Sequence, residues 1–122
     1  MTMINVKYLR DKQKLIVKGH AESGEKGHDL VCASASILTY TLGLFVKNMT
    51  DNGQVKKATV RLDSGDSEVS CKVKGHEAAV TLVFDSICAG FDLLAKSYPE
   101  NLNYKIVYSG RDRKKKRPKS IV

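Results

Sequence analysis

Ile4, Val6 and Tyr8 alternate with polar neighbours, a period of two that predicts a strand over Met1–Leu9. Arg10-Asp11-Lys12-Gln13 supplies a polar turn, and Lys14–Gly19 predicts a second strand. His20–His28 has no apolar period and contains Gly24 and Gly27, so it predicts a loop. The period then lengthens. Val31, Ala35, Leu38, Leu42, Phe45 and Met49 recur at steps of three and four, predicting a helix over Asp29–Met49. Asp29 is its expected N-cap, and Asp51-Asn52-Gly53 its stop. Lys57–Asp63 and Glu68–Lys74 predict strands around a Ser64-Gly65-Asp66-Ser67 turn, with Val69, Cys71 and Val73 on one face. Glu77–Tyr98 predicts a second helix with Val80, Phe84, Ile87, Phe91, Leu94 and Tyr98 on its apolar side, ended by Pro99. Leu102–Tyr108 predicts a last strand. The order ββ-α-ββ-α-β implies an α+β domain over 1–110, with two helices packed on a largely antiparallel sheet.

Charge changes the picture at one end only. The chain of 122 residues carries a formal +8 at pH 7. Arg111, Arg113, Lys114, Lys115, Lys116, Arg117 and Lys119 face Asp112 alone, so 111–122 reads as a basic, disordered tail. Basicity belongs to that tail; the body shows no basic stripe interleaved with exposed aromatics. No secretory signal is visible at the start. Ser34, Ser36, Thr39 and Thr41 interrupt one apolar run, and Asp85 and Asp92 the other, so no membrane span or membrane partner is expected. Three widely spaced cysteines make no disulfide framework. The expectation is a cytoplasmic protein with reduced thiols.

Candidate chemistry concentrates between His20 and Ser36. With Asp29 as N-cap, Cys32 falls in the first helical turn, where unpaired amides and the helix dipole favour a thiolate. The dipole supplies about 0.3–2 kcal/mol, too little to complete the activation, so an imidazole partner is needed. His20 is the better placed, because the loop can fold the strand end back over the helix start; His28 is the other candidate, or faces water near the cap. Cys32 also fits a small core residue, the commonest place for a thiol. Cys71 and Cys88 lie on or beside apolar faces and read as core. His20, His28 and Cys32 lack an evident fourth ligand, so no metal and no cofactor are expected. Gly24 and Gly27 fit a phosphate cradle only weakly; a mobile lid over the thiol is the better reading. His76 reads as a surface or capping residue.

Gly19-His20-Ala21, Ser23-Gly24, Gly27-His28-Asp29 and Val31-Cys32-Ala33 through Ser36 resemble the signature of the ribosomal-processing cysteine proteases of Gram-positive bacteria. The resemblance covers the body of the chain and leaves out the tail. It implies a homodimeric thiol protease that trims the N-terminal extension of a large-subunit ribosomal protein, after aromatic and before small residues. Phage capsid or scaffold precursors are the other implied substrate. By position, it implies Cys32 as nucleophile and His20 as general base. Asp29 and Ser36 would support the site, and Ser23, Gly24, Gly27 and His28 would belong to the lid over 21–28. The first helix's N-terminal amides would be oxyanion donors. The basic tail departs from the family pattern and would add electrostatic contact with rRNA. A non-catalytic ribosome-associated or RNA-binding protein held by the tail is the rival reading. A thiol redox sensor is a third, without a resolving cysteine near Cys32 in sequence.

Overall fold

The computed structural model describes residues 3–19 and 26–108, with backbone alone for 26–29. The expected tail, 111–122, lies outside the described residues. β1 (Ile4–Leu9) and β2 (Lys14–Lys18) pair antiparallel across a 3-10 turn at Arg10–Lys12. They are followed by α1 (Lys26–Asp51), β3 (Val55–Asp63), β4 (Asp66–Val73), α2 (Glu77–Ser97) and β5 (Leu102–Val107). The α+β class and the element order match the sequence expectation.

The sheet runs β3-β4-β2-β1-β5. Its pairs are antiparallel except β1 with β5, which run parallel because α2 carries the chain back across the sheet. Ile4, Val6 and Tyr8 of β1, Leu15 of β2 and Val69, Cys71 and Val73 of β4 are buried on the helix face. Val31, Ala35, Leu42 and Val46 of α1 and Val80, Phe84, Cys88 and Phe91 of α2 complete that single core. Period two in the strands and 3.6 in the helices thus converge on one interface. The opposite sheet face is left open.

Three ties fix α2 on this sheet. Tyr8, fully buried, stacks on Phe84 at 6.1 Å and donates a 2.7 Å hydrogen bond to Asp85 Oδ1. The Arg10 guanidinium closes on both oxygens of the same carboxylate, through Nε at 3.0 Å and Nη2 at 3.0 Å. Gln13, at φ +50°, sends its amide to the Glu77 carbonyl (3.1 Å) and Thr81 Oγ1 (3.0 Å), clamping the first hairpin to the start of α2. Where the helices cross, Gly90 faces Leu38 so closely that an added Cβ would stand 2.8 Å from its methyl carbon.

Two expectations are corrected. The helix begins at Lys26 rather than Asp29, so Gly27 and His28 belong to the backbone of its first turn and not to a loop. The first-turn amides need no partner four residues back, so Gly27 costs the helix little there. Second, both helices are long and apolar enough, by length and composition, to cross a membrane. Here each lays one face on the sheet, and α2 carries Asp85 in the Tyr8–Arg10 cluster, which is how core helices behave.

Candidate active site

Cys32 is half-buried on α1, one residue past the fully buried Val31. Its helical neighbours four and eight residues on are Ser36 and Tyr40, so the three share one face. They form one wall of a cavity of about 200 Å³. Gly19 at the end of β2 lines it too, as do Asp63 and Asp66 of the β3–β4 hairpin. A thiol at the rim of a cleft, rather than sealed in the core, can meet a substrate. Thr39 backs the wall, its hydroxyl turned to the Ala35 carbonyl at 2.7 Å.

Gly19 sets where the chain goes next. It adopts φ +104°, and a Cβ there would run into the carbonyl oxygen of Met3. Its amide donates to the Gly65 carbonyl at 3.0 Å, so β2 is pinned to the tip of the neighbouring hairpin as the chain leaves for His20. Gly65 holds the left-handed position of that two-residue turn, at φ +74°.

The two hairpin acids at the edge of this cleft are held by Arg61. Asp66 Oδ2 lies 2.9 Å from Arg61 Nη1, and that guanidinium holds the Asp66 carboxyl below its usual range. Asp66 Oδ1 is buried with no hydrogen-bond partner. These residues escaped the sequence reading, because only the β2–β4 register, with Lys18 opposite Asp66, brings the hairpin to the thiol.

The other thiols are unsuited to nucleophilic work. Burial pushes the Cys71 thiol up, and pushes Cys88 up to about 12. Both sit in the core as expected. His76 precedes α2, exposed and without a side-chain capping bond.

Cys32 and Ser36 are therefore brought together at the cavity. His20, Ser23, Gly24 and the side chain of His28 lie outside the described residues, as does the Asp29 side chain. The metal reading of His20, His28 and Cys32 falls there as well. Asp29 is not the N-cap, and Cys32, six residues beyond Lys26, lies past the first turn. The dipole acts mainly within that turn, so the helix end contributes less to thiolate formation than the sequence implied. The unpaired amides of α1 are those of 26–29 rather than those beside Cys32.

Comparison with curated proteins returned no match. Among solved structures, Streptococcus mutans SMU.848 superposes with a TM-score of 0.65 at 24% identity, covering 89% of this chain and 96% of that one. The ribosomal processing protease Prp of S. aureus, in complex with a substrate peptide, gives 0.63 at 21% identity over 88% of this chain and 100% of its own. The same S. aureus protein with a covalently linked product peptide gives 0.62, also at 21% identity with the same coverage. At these identities the likeness is one of fold. The sequence itself matches the profile described as cysteine protease Prp over residues 1–103, and on that match the chain belongs to the Prp family of cysteine proteases.

Proposed function

We propose that the chain is an endopeptidase in which Cys32 is the nucleophile and His20 the general base, removing an N-terminal extension from a large-subunit ribosomal protein. The observation that carries the reading is Cys32, half-buried on the wall of a cleft that β2 enters immediately before His20. The S. aureus relative, described as a ribosomal processing protease and seen with a substrate peptide, supports the substrate class.

The steps follow acyl-transfer chemistry. His20 takes the Cys32 proton, and the thiolate attacks the scissile carbonyl carbon to form a C–S bond. The C–N bond breaks as the imidazolium returns its proton to the leaving amine. Water then gives a proton to His20 and attacks the thioester, releasing the acid and restoring the thiol.

The working form in this reading is a cytoplasmic homodimer. α1 exposes Leu30, Ile37 and Leu44, at 53%, 63% and 59%, with Ala33 beside them. That is a heptad-spaced apolar seam facing away from the sheet, which a second copy of α1 would cover. The tail 111–122 adds attraction to rRNA. Ser36, one turn past Cys32, positions the thiol's surroundings, and residues 21–25, ahead of α1, close over bound peptide.

The test is incubation of the full chain with a ribosomal protein precursor, products being mapped by mass spectrometry. The reading expects one cut, after an aromatic and before a small residue. An intact ribosomal precursor alongside a cleaved phage capsid or scaffold precursor would move the enzyme to the phage substrate.

A further inference from the structure

The sheet face opposite the helices is a lysine surface. Strand register places Lys7 beside Lys105 in the parallel β1–β5 pair, and Lys57 beside Lys72 in the antiparallel β3–β4 pair. Lys14 and Lys18 of β2 lie between them on the same face. Glu68 of this face and the hairpin acids Asp63 and Asp66 all reach Arg61, and Glu68 also reaches Lys14 at 3.6 Å. Lys7, Lys57, Lys72 and Lys105 are exposed and in no ion pair among the described residues. Like charges directly opposite across strands destabilise a sheet. Two such pairs on one face are a standing cost unless something anionic neutralises them.

The face is also shaped. Lys12, Lys14, Lys57 and Lys72, with the hydroxyls of Thr59 and Ser70, outnumber the acids Asp11 and Glu77 around a concavity of about 710 Å³ where this face meets the start of α2. Lysines occur on all five strands, a width of roughly 19 Å at 4.8 Å per strand spacing. A single phosphate would occupy one corner of it. A polymer of phosphates would use the whole width, and no aromatic on this face offers a base-stacking platform.

We propose that this open face of the sheet is a docking surface for the phosphodiester backbone of duplex RNA, bound without sequence preference. This goes beyond proteolysis and does not depend on it; the cleft with Cys32 is built on the other face, from α1 and the hairpin. Nor does it rest on the tail, since the residues are those of the folded strands. Residue composition conceals the surface, because the lysines are scattered in sequence and only register assembles them.

The test uses the full chain and a fluorescein-labelled RNA duplex, with anisotropy measured over a salt series. Lys7, Lys57, Lys72 and Lys105 are all changed to Gln. A control of equal charge change, Lys47→Glu with Lys96→Glu, lies on the helices. The proposal expects the Gln variant to lose at least tenfold in affinity near 150 mM salt. Its log–log salt slope should shrink by about 0.9 for each phosphate no longer neutralised. It should melt no lower than the wild type, since the repulsion is gone, while the control binds RNA as the wild type does. Binding of the Gln variant within twofold of wild type, or an equal loss in the control, overturns the proposal. So does displacement of RNA by polyglutamate at equal charge concentration, which would assign the face to acidic protein.

Discussion

The Gly19 amide meets the Gly65 carbonyl at 3.0 Å, tying the last residue before His20 to the tip of the β3–β4 hairpin. This bond joins two walls of the Cys32 cleft through backbone atoms alone. A side chain at Gly19 would face both the φ +104° backbone and the Met3 carbonyl oxygen. Gly19→Ala is expected to cost about 2–4 kcal/mol, combining backbone strain with a clash that rigid backbone cannot relieve. Thermal melting should show a drop of well over 5 °C, and peptide cleavage should fall further than stability does. Gly53, at φ +76° with open space around it, supplies the control. Gly53→Ala should cost only about 1–2 kcal/mol of strain and leave cleavage intact.

Stability should fall in alkali, and the sign follows from burial. Cys88 is pushed up to about 12 by desolvation, from an ordinary thiol value of 9.0. Desolvation also raises Tyr8 and Tyr104 above 10.0. The folded state then binds more protons than the unfolded chain once pH passes 9. Stability is full below pH 9 and is lost as pH climbs toward 12, by up to about 1.4 kcal/mol per pH unit for each group. Urea midpoints between pH 7 and 11 measure it. Cys88→Ala should lessen the slope just above pH 9, leaving the part carried by Cys71, whose thiol burial also raises, and by the tyrosines as pH nears 10.

The same burial predicts a thiol order. Alkylation of the native protein near neutral pH should mark Cys32 first, with Cys71 and Cys88 modified only as the molecule unfolds. Peptide mapping of a time course gives the order. Equal rates at all three sites would contradict the packing described.

The seam on α1 predicts its own disruption. Ile37→Glu with Leu44→Glu places charges on two exposed positions, so the fold should survive with little change in melting. Light scattering should then report a dimer for the wild type and a monomer for the variant. A wild-type monomer at micromolar concentration would remove the dimer from the account.

Periodicity carried most of the architecture. The alternation of Ile4, Val6 and Tyr8 and the steps from Val80 to Phe91 each identified the buried face that the structure shows. The start of α1 is hidden in the sequence because Gly27 weighs against a helix interior yet is tolerated in a first turn, and Asp29 has the chemistry of a cap without its position. Cys32 was legible from its setting between a polar loop and an apolar period. Asp66 and its hairpin were not, since they reach the thiol through strand pairing. Tyr8, Arg10 and Asp85 were likewise invisible as a cluster, being joined across the whole chain.

The measurement that bears most directly on the central claim is cleavage of a precursor junction peptide by wild type and by Cys32→Ala, each confirmed folded by its melting curve. Cys32→Ala should lower kcat/KM by at least about a thousandfold, with Tm within a few degrees of wild type. Cleavage by Cys32→Ala at the wild-type rate would contradict it.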